Sequence, residues 1–424
     1  MSLLWPGEER AGGLFSEAAY LAAMVRVEEA WLGAITSAGI APEEARTPLA
    51  GLVSEVDVPG LAEGAEAGAN PVIGLVKLLR GRLESEPARW LHKGLTSQDV
   101  VDTAIVLCLA DVLDRIEDEL AAQAAALVGL AREHRATVMA GRTLTQHAVP
   151  ITFGLKAATW LSGLTDAAEA LRRARTSLPA QIGGAAGTLA AVVGLARLRG
   201  LDDPVAAAET AAATTANTLG LPRRAPWHTN RAPLTAAADA LVTAADAWGR
   251  IAGDITLLAR PEIGELAEPA GEGRGGSSTM PHKSNPVLSV LVRRHALAAP
   301  PLAATLHTAA ASYVDERPDG AWHVEWETLA TLARHSVVAA SQATELLGGL
   351  RVDAARMRAT AEAAGADLLA EQRSLTGFVG GGVLAGSEAA ARLEDYLGAT
   401  DTLIDATVAR AYEIWKTELS KEGP

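Results

Sequence analysis

SQDVVDTAIVLCLADVLDRIEDELAAQAAALVGLAREHR, residues 97–135, contains no proline and one glycine, Gly129. Its apolar positions Val101, Ile105, Cys108, Val112, Ile116 and Leu120 step by three or four, which is the spacing of one helical face. The run predicts a single helix of about 35–40 residues, roughly 55–60 Å long. Thr96 and Ser97 are N-cap candidates, and Asp99 falls in the first turn, where a negative charge suits the helix dipole. Comparable runs follow at Pro150 to about Leu178, Pro204 to Leu219, Pro233 to Arg260, Pro286 to about Tyr313, and Glu325 to Leu347. Each opens on a proline or an acidic residue, as helix starts do. Several helices of this length predict an elongated all-α bundle and not a layered α/β domain.

Composition agrees with that reading. Alanine, the best intrinsic helix former, makes up roughly a fifth of the chain, and β-branched alternation is nearly absent. Of the 424 residues 49% are hydrophobic but only 4% aromatic, so the helix seams are expected to be lined by small side chains that bury little area each. Helices of this kind are expected to pack against copies of themselves. Before Ser97 lie shorter segments broken by Gly7, Gly12-Gly13, Pro42, Pro48, Pro59 and Pro71. After about Leu350 a new set begins at Val352-Asp353, passes a break at Gly380-Gly381-Gly382 and ends in a helix reaching Trp415. Three domains are expected: an N-terminal helical domain over 1–95, a central long-helix domain over 96–350, and a C-terminal helical domain over 351–424.

The charge balance excludes several classes of function. With 51 acidic and 37 basic residues the net charge is −14, and no Lys/Arg run is longer than the pairs Arg172-Arg173, Arg223-Arg224 and Arg293-Arg294. This is no footprint for nucleic acid or for an anionic membrane, so any anionic ligand must be met by locally arranged positive groups. The single cysteine, Cys108, excludes an intramolecular disulfide framework and a CxxC metal site. MSLLWPGEER lacks the basic-then-apolar order of a signal peptide, and the longest uncharged stretch, Thr176 to Ala196, is interrupted by Pro179 and several glycines. A cytoplasmic location is expected. No metal or cofactor is expected either: His323-Val-Glu325 lacks the PCxxC partner of a zinc deaminase, and there is no HExxH.

Gly271 to Pro286, GEGRGGSSTMPHKSNP, is a glycine-rich loop between two long helices. It spells GxGxxG from Gly271 to Gly276, but a helix and not a strand precedes it, so the dinucleotide reading fails. A plain linker has no need of two serines, a methionine, a lysine and an asparagine packed onto one helix start. Such a loop can close over a ligand and bring hydroxyls and a cation to a helix N-terminus that favours anions.

Gly276 to Asn285, GSSTMPHKSN, resembles the signature loop of the fumarase/aspartase superfamily. His92 to Thr103, HKGLTSQDVVDT, resembles the first active-site region of that superfamily, and Gly141 to Pro150, GRTLTQHAVP, its second. The resemblance covers essentially the whole chain, with the three motifs in the expected order. It implies a three-domain fold whose central domains assemble into a homotetramer with a 20-helix core, each active site being built from three subunits. Lyases of the superfamily carry a histidine after Gly-Arg-Thr and a glutamate seven residues beyond the loop lysine; here Leu144 and Val290 stand at those places. Expelling an alkoxide or an amine needs a proton donor. A carboxylate is already ionised at neutral pH and needs none, whether it leaves or attacks.

Further stretches are similar to the 3-carboxy-cis,cis-muconate cycloisomerase branch: Pro226 to Arg231 (PWHTNR), Gln181 to Leu189 (QIGGAAGTL), and Asp315 to Trp326 (DERPDGAWHVEW). Leu144, Asn230 and Ser284 depart from that branch, which usually has tryptophan, glutamine and arginine there. The resemblance implies intramolecular addition of a substrate carboxylate to a C=C bond, a reaction of protocatechuate breakdown. It implies Ser277 as the proton-transfer residue, with its neighbour Ser278 as the alternative, assisted by Lys283. Lys283 and Asn285 would hold carboxylates or the enediolate, with Met280 beside them. Thr96, Ser97 and Gln98 suit carboxylate binding at a helix start, and plain capping is the competing role. His92 matches a histidine near the substrate in the lyases, or is a buried, hydrogen-bonded imidazole. Thr143 and Gln146 match the second region. Arg317 is either a further carboxylate clamp or the ion-pair partner of Glu316 or Asp315. Two other functions remain open at this point: β-elimination of adenylosuccinate or a related succinyl compound, and a non-catalytic structural role.

Overall fold

The computed structural model describes residues 3–271, 273–276, 279–280, 283–317, 319–379 and 392–419. The first helix, α1 (Glu17–Ser37), starts where the Ser16 hydroxyl accepts a hydrogen bond from the Ala19 amide at 3.2 Å. Three short helices follow: α2 (Val58–Gly68), α3 (Val72–Arg82) and α4 (Ser85–Trp90). The long run then forms α5 (Ser97–Glu133), 37 residues, as its spacing predicts.

Between α5 and α6 (Phe153–Ser177) lies an element the sequence reading lacked, an antiparallel hairpin of β1 (Val138–Thr143) and β2 (Gln146–Thr152). Pro150, read as a helix start, instead pairs with Ala140 inside this hairpin. The cap of α6 is Thr152, whose Oγ1 accepts from the Leu155 amide at 3.1 Å. Proline fits a strand edge as well as a first helical turn, so by itself it did not tell the two apart.

The chain continues through α7 (Ala190–Leu198) and α8 (Pro204–Thr218), the latter capped by Asp203. Next come α9 (Ala232–Leu258) and β3 (Leu266–Ala267). After these come α10 (Val287–Ala311), then α11 (Gly320–Gly348), which begins five residues before the expected Glu325. β4 (Arg351–Val352) pairs antiparallel with β3. Shorter helices complete the chain: α12 (Ala354–Ala363), α13 (Gly365–Leu368), α14 (Ala370–Val379), α15 (Thr400–Ile414) and α16 (Lys416–Leu419). The glycine triplet at 380–382 lies outside the described residues. Among the described residues no helix is long and apolar enough to cross a membrane.

Contacts divide the chain into two compact units, residues 1–116, 171–242 and 299–338 in one, and 117–170, 243–298 and 339–424 in the other. The boundaries fall inside α5, α6, α9, α10 and α11, so each unit contains part of all five long helices. Alanine lines much of both cores, but the few aromatics are not peripheral. Trp31 and Trp227 are fully buried in the first unit, and Trp160, Trp248 and Trp415 in the second. Every one has its indole N–H satisfied, by Lys93 O, Ala180 O, Asp254, Gln123 and Glu117 respectively. These five side chains thus fill gaps that alanine leaves without leaving their own indole donors unpaired. Cys108 is buried on α5, and burial, with Asp111 second, pushes its thiol up to about 12, so it is no nucleophile at neutral pH.

Candidate active site

In the first unit every residue of α5 from Gln98 to Ala110 is buried, which puts Gln98, Asp99, Asp102 and Thr103 where only protein can satisfy them. Asp99 gathers its partners from far along the chain. Its Oδ1 accepts from the Gly183 amide at 2.9 Å and from Gln181 Nε2 at 3.0 Å, and lies 3.1 Å from His228 Nε2. Its Oδ2 accepts from the Thr96 and Gly184 amides at 3.0 and 2.9 Å. Gln181 is turned the right way because its Oε1 accepts from the Trp227 amide at 2.6 Å. Gly183 must be glycine here, since a Cβ would come within 2.7 Å of the His228 ring and 2.8 Å of Pro226. The stretches at 181–189 and 226–231 therefore meet at one carboxylate, a role their resemblance alone did not reveal.

A turn further along α5, Asp102 faces Arg231. The guanidinium, fully buried, donates to Asp102 at 2.7 and 3.0 Å and to Glu325 of α11 at 2.6 Å, and lies over the Trp227 ring at 4.8 Å. Trp322 Nε1 donates to Asp102 at 2.9 Å. Burial raises the Glu325 pKa against the opposing pull of Arg231. Gln98, expected as a substrate ligand, is fully buried in this network: its amide nitrogen donates to Asp102 at 3.1 Å and to the His228 carbonyl at 2.9 Å. Thr96 is buried with its amide committed to Asp99, while Ser97 is half-buried. His92 is half-buried, its Nδ1 2.6 Å from Glu28 Oε1. Arg317 is exposed on the segment before α11, with no ion pair to Asp315 or Glu316 among the described residues.

In the second unit the second motif forms the hairpin tip. Thr143 pairs with Gln146 across a two-residue turn, Leu144-Thr145, whose φ angles are 47° and 69°. Two positive φ values are the mark of a type I′ turn, normally given to Asn-Gly. Thr143 and Gln146 are exposed, and Leu144 is 95% exposed. Behind the tip, Arg142 makes a two-pronged ion pair with Glu265 at 2.9 and 3.2 Å, the carboxylate fully buried. The double substitution Leu144→Asn, Thr145→Gly should raise stability by about 1 kcal/mol by removing left-handed strain. Chemical denaturation measures this, and an unchanged or lowered stability would show that the tip is unstrained.

The signature loop is closed at its base. The Asn285 amide and its Nδ2 both donate to Gly275 O, at 2.8 and 3.0 Å, and Gly275, at φ 72°, has no room for a Cβ, which would lie 2.6 Å from Asn285 O. Lys283 is exposed, Met280 is 41% exposed, and Ser277 and Ser278 lie outside the described residues. A cavity of about 310 Å³ beneath the loop is lined by Ser284, Asn285, Arg274, Arg351 and Glu268 among others. The start of α10 is already occupied: Glu268 accepts from the Leu288 amide at 3.0 Å and from the Ser289 amide and hydroxyl at 2.7 and 2.6 Å. By its sequence that helix start is open to a ligand anion. The protein's own carboxylate fills it, and of the loop's described cations Arg274 is paired with Glu345 while Lys283 is exposed. Val290, one turn on, is 53% exposed.

A long-helix fold with these three motifs defines a class. Residues 56–299 match the lyase family, and the chain belongs to that family, within the fumarase/aspartase superfamily; it is an enzyme of the lyase family. Its relatives include nitrosuccinate lyase of Streptomyces davaonensis, 45% identical over 363 residues, which are 84% of this chain and 76% of that one. Another is 3-carboxy-cis,cis-muconate cycloisomerase of Bradyrhizobium diazoefficiens, 42% identical over 355 residues, 82% of this chain and 75% of that one. The crystal structure of 3-carboxy-cis,cis-muconate lactonizing enzyme from Pseudomonas putida shares the fold with a TM-score of 0.84 at 33% identity, over 95% of this chain and 97% of that one.

Proposed function

We propose that the protein is a cycloisomerase converting 3-carboxy-cis,cis-muconate to 4-carboxymuconolactone, working as a homotetramer with sites shared between subunits. The observation that carries this is the pair Leu144 and Val290, which stand where the lyases of the superfamily carry a histidine and the glutamate that orients it. Neither side chain can hold a proton. In the proposed reaction a carboxylate oxygen forms a bond to the unsaturated carbon, and the π pair moves onto the carbon beside a second carboxylate, giving an enediolate. Ser277 delivers a proton to that carbon, and no acid is needed at the attacking oxygen. Lys283 and Asn285 hold the enediolate, and Thr96, Ser97, Thr143, Gln146 and Arg317 are available for the other carboxylates. Two relatives named for this activity support the reading.

A second reading has its own support in the 45% identical nitrosuccinate lyase. Nitrite, like a carboxylate, leaves as a stable anion, so its elimination from nitrosuccinate also dispenses with the missing acid. Loss of muconate absorbance with 3-carboxymuconate is the expected result. Nitrite released from nitrosuccinate, with carboxymuconate untouched, would replace the first reading by the second. Light scattering should give a mass four times that of the chain. Lys283→Ala should lower kcat by about 10²–10³, the cost of removing a group that stabilises developing charge. A kcat close to wild type would remove Lys283 from the mechanism.

A further inference from the structure

We propose that Glu28 is a positioning residue for anion binding, holding His92 as a cation whose Nε2 is left to pair with a substrate carboxylate. The inference rests on the reading of the site as one for a polycarboxylate. Glu28 sits in the middle of α1, is fully buried, and has its Oε1 2.6 Å from His92 Nδ1. Among the described residues its other oxygen has no hydrogen-bond partner, so His92 is the one described group hydrogen-bonded to this buried carboxylate. A bond at Nδ1 fixes the ring orientation and leaves Nε2, which has no protein partner among the described residues, as the remaining donor. A histidine placed only to fill the core would be enclosed, whereas this side chain keeps 19% of its surface.

The backbone points the same way. His92 has φ 62°, a left-handed conformation that is costly for a residue with a Cβ. The peptides on either side are held by side chains: Trp31 Nε1 donates to Lys93 O at 2.7 Å, and Arg80 Nη2 donates to Leu91 O at 2.8 Å. Gly94, at φ 90°, lies where a Cβ would meet Val192 at 3.0 Å and Trp31 at 3.3 Å. The strained turn is thus clamped from α1, α3 and α7 with the imidazole facing Glu28. The charged groups acting on the ring are Glu28 of α1 and Asp99 of α5, which favour its protonated form, and Arg80 of α3, which opposes it. Burial is the largest single influence and also opposes it, but the charge and hydrogen bond of Glu28 together with Asp99 outweigh burial and Arg80, and the His92 pKa is raised. The cation therefore persists to a higher pH than in a free histidine and is lost as pH rises through the raised value.

Residue-resolved modification by diethyl pyrocarbonate, which attacks the neutral imidazole, tests this without turnover. In Glu28→Gln, His92 should react several-fold faster than in the wild type near pH 7, because the charge partner is gone. The saturated tricarboxylate tricarballylate should protect His92 in the wild type and protect it less in the variant. With carboxymuconate as substrate, the KM of Glu28→Gln should begin to rise at a lower pH than that of the wild type and rise more than kcat falls. Glu28→Asp, which keeps the charge, should lie between the two and serves if the glutamine variant folds poorly. Equal modification rates in wild type and variant, or no protection of His92 by tricarballylate, would overturn the proposal. If carboxymuconate is not turned over at all, the functional reading fails while the modification and protection results still decide the role of Glu28.

Discussion

Arg231→Met should lower the stability to unfolding by about 3–5 kcal/mol at pH 8, because it strands two carboxylates in the interior. Asp102, Arg231 and Glu325 are each buried, and Arg231 bridges the other two with contacts of 2.6–3.1 Å. Pair formation in such a place does not guarantee net stability over a well-packed apolar trio, but removal of one partner leaves the others uncompensated. The loss should depend on pH. Burial already raises the Glu325 pKa with Arg231 present, and without Arg231 the main opposition to that upward pull is gone, leaving only Tyr313 against it. A carboxyl with a raised folded pKa destabilises the fold as pH rises through it, so the variant should lose less at pH 5 than at pH 8. Urea denaturation at the two pH values measures both effects. A loss below about 1 kcal/mol, or one that grows on acidification, would show that the arginine is not compensating these carboxylates.

The long helices were legible because their cue is local and repeated: alanine, apolar steps of three and four, and the absence of glycine and proline. The hairpin was not. Its turn, Leu144-Thr145, carries neither glycine nor asparagine, and Pro150 resembles a helix start, so β1 and β2 gave none of the usual signals. The candidate residues Lys283, Asn285, Thr143 and Gln146, and the leucine at 144, stand out in the sequence by their identity within the motifs. The groups that hold the motifs in place do not, because their partners are distant in the chain: Glu28 meets His92 64 positions away, and Asp99 meets His228 at 129. A signal was nevertheless present. Gln98, Asp99, Asp102 and Thr103 share one side of α5, and that side continues as Val106, Leu109 and Ala110, so it leads into apolar surroundings and the carboxylates call for partners from elsewhere in the chain. The start of α10 failed differently: its free N–H groups favour an anion, as the sequence reading held, but an internal anion, Glu268, takes the place.

The same accounting of donors gives Asp99→Asn an effect out of proportion to its size. The substitution keeps the shape and replaces one oxygen by an NH₂ group. If the amide nitrogen takes the place of Oδ1, it confronts the Gly183 amide and Gln181 Nε2; if it takes the place of Oδ2, it confronts the Thr96 and Gly184 amides. Either rotamer leaves two buried donors without an acceptor, at about 1–3 kcal/mol each, so a loss of roughly 3–5 kcal/mol is expected. Turnover should fall as well, because Asp99 ties the Gly183-Gly184 turn to Thr96 at the start of α5. Gln181→Leu removes one donor to Asp99 and also the acceptor of the Trp227 amide. Introduced on top of Asp99→Asn it should add less than its own single loss, by the share of the Asp99–Gln181 bond that both changes break, while still costing the Trp227 contact. Strictly additive losses would mean that Asp99 and Gln181 act independently, and a near wild-type Asp99→Asn would mean that the turn is held by packing and not by this carboxylate.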